Sequence, residues 1–250
     1  MKDISGSKKD NTKSKKDNTK SIFEDFSLKK QAIELLKHGY GLDYFPWTYR
    51  SDKEVVLGVV TSVWADIVKG GCDDFVCLAP QHTGVIGVEN LNEYIQKEIN
   101  GEVAKQRIGW IMAGVGDRVL HTKNNYAMGV YNGYLGKIVD IEHGNVCHVD
   151  YDGDIYRYED DEAKKQLKLG YCITVHKSQG SQWKQGILIC HSSHYFMWSR
   201  SLLYTALSRF REKLYIIGDR KALSRAVKNN VDERRQTYLR TVLRAVSFER

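Results

Sequence analysis

Apolar positions repeat along this chain with two different periods, and the changes of period divide it. Val55, Val56, Val59, Val60, Val63, Trp64, Ile67 and Val68 hold one face at the 3.6-residue period, which predicts a helix. Ser51 and Glu54 before it have capping-box spacing, and Gly70-Gly71 after it supplies a C-cap. The β-branched content is high for a helix, so phase and caps decide the assignment. Phe75–Ala79 is an unbroken apolar run and predicts a buried strand. Pro80–Gly84 reads as a turn and Val88–Ile99 as a second amphipathic helix. Strand alternating with helix marks an α/β layer. Upstream, a short helix is predicted over Leu28–Lys37 and an extended segment over Leu42–Trp47, where Pro46 and the aromatic residues disfavour helix.

The texture changes at Gly116. Short strand-like runs follow at Asp117–Thr122, Gly136–Ile141, Val146–Tyr151 and Ile155–Tyr158. The turn signals Asn132-Gly133, His143-Gly144-Asn145 and Asp152-Gly153-Asp154 separate them. This spacing predicts a small β-barrel inserted between α/β elements. After Leu169 the first texture returns, with strands Tyr171–Thr174, Ile187–Cys190 and Lys213–Ile217 and helices Ser201–Arg209 and Lys221–Lys228. Residues 231–250 close the chain as a basic amphipathic helix.

Residues 7–13 read SKKDNTK, and residues 14–20 repeat them. The heptad has no apolar position, so it makes no coiled-coil seam, and residues 1–25 are read as a disordered basic arm. The arm also explains most of the charge. Formal net charge is +7 over 250 residues. Seven Lys and three Asp in residues 1–20 give 7 − 3 = +4, leaving +3 for the rest. Bulk charge is therefore weak support for an anionic partner. Five Cys without a C-x-x-C pair point to reduced thiols, and no apolar run approaches the roughly 18 residues of a membrane span. The Lys-rich start lacks the apolar core of a secretory signal, so a cytoplasmic location is expected.

Two runs carry candidate chemistry. TVHKSQG, Thr174 to Gly180, follows a strand and combines a cation, hydroxyls and glycine at an expected turn into a helix, an arrangement that presents N–H groups and charge to phosphate. It also fits an ordinary strand–turn–helix junction. YTALSR, Tyr204 to Arg209, places Leu203, Ala206, Leu207 and Phe210 on one helical stripe, with Thr205 and Arg209 opposite. Arg209 is then either a solvated surface charge or a group aimed at a ligand. Gly116 to Gly136, GDRVLHTKNNYAMGVYNGYLG, adds a cation, amides and an aromatic ring at Lys123, Asn124, Asn125 and Tyr126, which suits phosphate pairing and base stacking. The Asn pair also suits a purely bracing role.

Taken together, these runs resemble the last signature motifs and barrel entrance of superfamily 1 helicases of the RecD type, related to UvrD. LAPQHTGVIGVENLNEYIQKEIN, Leu78 to Asn100, resembles the opening of their second RecA-like domain. The resemblance spans about residues 50 to 220. It implies an α/β fold: a RecA-like second motor domain of the P-loop NTPase type with a parallel sheet, formed by residues 26–115 and 170–230, plus an SH3-like β-barrel over 116–169.

The same resemblance implies roles. Thr174, His176, Lys177 and Ser178 would face DNA, with Lys123, Asn124, Asn125, Tyr126, His82 and Thr83. Gln179 and Gly180 would face the γ-phosphate of ATP, and Arg209 would be the finger that completes the site. The family's glutamate near the nucleotide is here Gln182, which keeps hydrogen bonding and loses the charge. Implied partners are single-stranded DNA and a first RecA-like half. ATP and Mg²⁺ are expected only in the complete two-domain motor, because the 250 residues contain no G-x-x-x-x-G-K-[ST] loop. Repair and recombination are the implied setting, and 5′ to 3′ movement belongs to the whole motor.

Two other readings stay open: a non-enzymatic single-strand-binding or adaptor module, and a decayed helicase fragment. No metal site is expected. Asp160-Asp161-Glu162-Ala163 lies in a polar run and is read as a solvated loop, and Cys190, His191 and His194 lack a fourth zinc ligand. Gly136-Lys137 has the wrong glycine spacing for a phosphate loop.

Overall fold

The computed structural model describes residues 41–46, 53–142, 146–159 and 161–230. The arm over 1–25, the helix Leu28–Lys37, Trp47, the Ser51 half of the capping box, the turn His143-Gly144-Asn145 and the helix over 231–250 lie outside the described residues. The elements run β1 (Gly41–Pro46), α1 (Lys53–Lys69), β2 (Phe75–Ala79), α2 (Val88–Asn100), β3 (Gln106–Ile108), β4 (Ile111–Ala113), β5 (Arg118–His121), β6 (Leu135–Glu142), β7 (Val146–Tyr151) and β8 (Asp154–Tyr158). They continue with α3 (Asp161–Lys164), β9 (Leu167–Leu169), β10 (Cys172–Thr174), β11 (Trp183–Cys190), α4 (Arg200–Leu207), β12 (Phe210–Gly218) and α5 (Arg220–Lys228).

One sheet is wholly parallel, in the order β1-β12-β11-β2-β10. A parallel sheet needs cover on both faces, and the period-2 alternation of its strands supplies an apolar set to each. Val76, Leu78, Leu188, Cys190, Leu214 and Ile216 face one side, where Leu202, Leu203 and Ala206 of α4 and Leu223 and Ala226 of α5 pack on them. Phe75, Cys77, Ala79, Ile187 and Ile189 face the other, under Val60, Trp64 and Ile67 of α1 and Leu91 and Ile95 of α2. Of the apolar face read for α1, Val60, Val63, Trp64 and Ile67 are buried, Val59 is partly buried and Val68 is exposed. Its end is a Schellman closure: Cys72 N donates to Ile67 O at 3.3 Å and Gly71 N to Val68 O at 2.9 Å, with Gly71 at φ 76°.

The second sheet is antiparallel, in the order β8-β7-β6-β5-β9, and encloses Val119, Ile138, Cys147, Val149, Tyr158 and Leu167. This is the small SH3-like unit. Asp152 and Gly153, at φ 54° and 103°, close the two-residue β7–β8 hairpin. Three short strands escaped the sequence pattern. β3 pairs with β4, and β9 pairs with β5; Ile108 and Ala113 lie in the barrel core, upstream of Gly116.

Three local expectations are corrected. Asn132-Gly133 is not a hairpin turn between adjacent strands, because β5 ends at His121 and β6 begins at Leu135; the pair sits in the long loop between them. Asp161–Lys164 forms a helical turn rather than a loop, held by Lys164 Nζ to Asp161 Oδ1 at 3.1 Å. Helix α4 ends at Leu207, so Arg209 stands in the turn after it.

Candidate functional site

Residues 175–182 connect β10 to β11. They make turns and enter a strand, not the expected helix. The phosphate-at-a-helix-terminus argument therefore does not hold for TVHKSQG. Hydroxyls organise the crossover instead. Thr174 Oγ1 accepts from Lys177 N at 3.2 Å, and Ser178 Oγ donates to Val175 O at 2.7 Å. Thr174 and Ser178 are both buried, which corrects their placement on a DNA-facing surface: they shape the loop. His176, Gln179 and Gly180 are exposed and Lys177 is half-buried. Partial burial, then the like charge of Lys168, pushes the Lys177 ammonium below its ordinary range.

The crossover ends beside Arg209. Its Nε donates to Thr205 O at 3.1 Å, Nη1 to Ser181 O at 3.1 Å and Nη2 to Ser208 Oγ at 3.0 Å. Its own carbonyl accepts from Trp183 N at 2.8 Å. Gln182 Nε2 reaches Ser208 O at 3.4 Å. Trp183 pairs with Phe210, so Gln182 and Arg209 sit side by side at the amino ends of β11 and β12. All three acceptors of the guanidinium are neutral, and a phosphate oxygen would make a stronger, charge-assisted bond.

The opposite edge collects the other set. Thr174 pairs with Ala79, so the loops after β10 and β2 leave the carboxyl edge together, carrying His176 and Lys177 beside the exposed His82 and Thr83. The barrel loop comes to the same place: a Cβ on Gly133 would lie 4.0 Å from Lys177 O. In that loop Asn125 Oδ1 accepts from Met128 N at 3.2 Å and Asn124 Oδ1 from Asn132 N at 3.0 Å, so the Asn pair braces the loop. Lys123 is exposed and Tyr126 is 78% exposed. Sequence reading missed Tyr131 and Tyr134, which continue from Tyr126 as a ladder of rings with centroids 6.1 and 5.6 Å apart. Their irregular spacing has no strand or helix period to expose it.

Asp117 ties the two folding units together. It is fully buried and accepts from Gln96 Nε2 at 2.6 Å, Gly114 N at 2.9 Å, Asn100 Nδ2 at 2.7 Å and Tyr171 Oη at 2.6 Å. Burial, then the bond to Asp117, holds the Tyr171 phenol well above its usual range, so it stays a donor. Next in sequence, Arg118 donates to Phe75 O at 2.6 Å and Asp73 O at 3.0 Å and stacks 4.3 Å over the Phe75 ring. Asp117 thus fixes the barrel entrance to α2 and to the approach to β10, and Arg118 fixes it to the start of β2.

Among the described residues, Asp140, Glu142 and His148 bring potential metal ligands within 4.8 Å of one another. Glu142 is already bonded to His148 at 2.6 Å, and Arg157 stands 3.5 Å away as a competing cation. His191 Nδ1 accepts from Ser193 N at 3.0 Å and so caps a turn.

Comparison with known proteins finds two matching domain families. The UvrD-like helicase C-terminal domain family matches residues 169–217, which hold both TVHKSQG and YTALSR. The SH3 domain family of ATP-dependent RecD-like DNA helicases matches residues 91–151. The ATP-dependent RecD2 DNA helicase of Deinococcus radiodurans is 34% identical over 173 residues, 69% of this chain and 24% of that protein. The RecD subunit of the RecBCD enzyme of Mycolicibacterium smegmatis is 28% identical over 173 residues, 69% of this chain and 30% of that one. Among solved structures, Bacteroides Pif1 bound to ssDNA aligns with a TM-score of 0.41 and 21% identity over 66% of this chain and 49% of that one. The chain spans about a quarter of the length of the RecD2 relative it matches. With two domain families of these helicases matching the chain and a RecD2 relative at 34% identity, the chain resembles the C-terminal part of RecD-like helicases.

Proposed function

We propose that this chain is the second motor domain of a RecD-like ATP-dependent DNA helicase. It supplies Arg209 and a single-strand grip to an ATP site completed by a first RecA-like domain. The observation that carries the proposal is the pairing at the amino ends of β11 and β12. There the guanidinium of YTALSR is held on the crossover of TVHKSQG, and its three acceptors among the described residues are neutral. A cation so held is free to transfer to an anionic oxygen without breaking an ion pair.

The division of labour follows from the two edges. At one, Arg209, Gln179, Gly180 and Gln182 meet the nucleotide bound by the other domain. At the other, Lys177, His176, His82 and Thr83, with Lys123 and Tyr126 of the barrel loop, hold the strand by charge and stacking. Bound ATP with Mg²⁺ would supply the phosphoryl chemistry. The residues present fit only the finger side of that site, since the sequence offers no loop to cradle a triphosphate.

The test is ATP turnover stimulated by single-stranded DNA, measured on the chain alone and with a RecD-type first RecA-like domain added. Turnover only in the mixture is expected. Turnover by the 250-residue chain alone would mean a complete site and would overturn the proposal.

A second reading, a single-strand-binding module without ATP chemistry, draws on Gln182. Its amide donates to Ser208 O, a bond that a glutamate carboxylate would not make. Mixtures that bind oligonucleotide and never hydrolyse ATP would favour it.

A further inference from the structure

Phe196 is 92% exposed, the most of any large apolar side chain among the described residues. Its loop is nonetheless pinned. Ser193 N donates to His191 Nδ1 at 3.0 Å, Met197 N to His194 O at 2.9 Å, and Asn229 Nδ2 to Trp198 O at 2.9 Å, with Trp198 fully buried at the loop's end. A ring held outward by a fixed loop is a preformed contact. Beside it, Tyr195 stands perpendicular with centroids 5.9 Å apart, and the Arg225 guanidinium lies 4.9 Å from the Tyr195 ring centre.

The sheet order says what this contact continues. β10, β2, β11 and β12 are successive neighbours and all parallel, so their carboxyl-end loops stand in that order. The first carries His176 and Lys177, the second His82 and Thr83, and the third Phe196. The fourth leads into α5, whose first residues Arg220 and Lys221 are exposed cations. An aromatic ring between loops that carry one lysine, two histidines and a threonine and a second loop with a cationic pair is the composition of a groove that tracks a polyanion and stacks its bases.

We propose that Phe196 stacks on a nucleobase of the bound single strand, carrying the strand from the β10 and β2 loops to the first turn of α5, where Arg220 and Lys221 take phosphates. This rests on the reading of the carboxyl edge as the nucleic-acid surface. Sequence inspection considered this run only as a metal candidate, because a lone exposed aromatic residue has no period.

The experiment is fluorescence anisotropy of the full chain with oligo-dT and with a matched oligonucleotide containing abasic residues. Phe196→Ala, which removes a solvent-exposed ring and should melt like the wild type, is expected to weaken oligo-dT binding about 5- to 100-fold. Its salt slope should not change, and the difference should vanish on the abasic backbone. Replacing both Arg220 and Lys221 by Ala should flatten the salt slope by about two. If Phe196→Ala binds oligo-dT like the wild type while Tyr126→Ala is weakened, the inference fails alone, and Phe196 belongs to a protein contact. An equal loss on abasic DNA would also overturn it, because stacking would not be the cause. If the wild type shows no salt-dependent binding, the DNA grip proposed above fails with it.

Discussion

The Arg209 guanidinium donates to the Ser181 carbonyl at 3.1 Å, and the Arg209 carbonyl accepts from Trp183 N two residues further on, so Arg209 is bonded twice to the segment that enters β11. The crossover and the α4–β12 turn therefore move as one piece. In a mixture with a first RecA-like domain, Arg209→Ala should lower ATP turnover by about 10³-fold or more, the range for an arginine finger. Arg209→Lys should recover little, since an ammonium lacks the planar fork. Turnover assays on the three proteins check this, with thermal melts to separate the small folding cost of the lost hydrogen bonds.

Asp117 accepts four donors from three parts of the chain, so replacing it leaves several buried groups without partners. Asp117→Ala should cost on the order of 3–5 kcal/mol in urea unfolding, as for other broken buried charge networks. Tyr171→Phe, which removes one donor and leaves the others, should cost about 1–2 kcal/mol. Equal losses in the two variants would show that the carboxylate is not the hub.

Long regular patterns were legible in the sequence, and chemistry at special positions was less so. Phe75–Ala79 and Val146–Tyr151 are strands with the bounds that their apolar runs predict, because five or six residues of buried pattern suffice. β3, β4 and β9 have three residues each and no room for a period, and the barrel closes on β9 only through a pairing distant in sequence. At the site, Tyr126, His82 and Thr83 are exposed, as the surface positions read for them require. Thr174 and Ser178 do not fit, since a hydroxyl in a tight crossover is used by its own backbone. The helix expected after Gly180 is absent because the chain crosses directly into β11. No local signal distinguishes that path from a turn into a helix.

Lys177 and Tyr126 stand on loops of different folding units, and those loops meet where a Cβ on Gly133 would lie 4.0 Å from Lys177 O. Lys177→Ala should flatten the dependence of log affinity on log salt by about one for single-stranded DNA. Tyr126→Ala should weaken binding by about 1–3 kcal/mol with the slope unchanged. Anisotropy titrations at four salt concentrations separate the two effects. An unchanged slope in the first variant would take Lys177 out of the phosphate contacts.

Gly186 in β11 is filled from across the strand pair. A Cβ there would come within 1.8 Å of the Phe210 ring. Because Phe210 is fully buried under Trp183, its ring cannot swing aside. Gly186→Ala should destabilise by about 1–3 kcal/mol through overpacking. Adding Phe210→Leu should restore part of the loss, and chemical denaturation of the double mutant tests the coupling.

Stability should also fall in mild acid, through His194. This imidazole is 3% exposed, and burial first, then the neighbouring His191, lowers its pKa to about 4. In the unfolded chain it titrates near 6.5. Between those values the unfolded state binds a proton that the folded state refuses, so stability rises with pH across that window. The contribution is fully present above about pH 6.5, declines as pH falls toward 4 and then levels off. It amounts to about 3 kcal/mol for one such group. Burial pushes His121 and His191 in the same direction and steepens the loss. Urea midpoints measured from pH 7.5 to 4 should drop through this window, and His194→Gln should flatten the profile. A midpoint that held steady down to pH 4.5 in the wild-type chain would mean that His194 is protonated in the fold and paired.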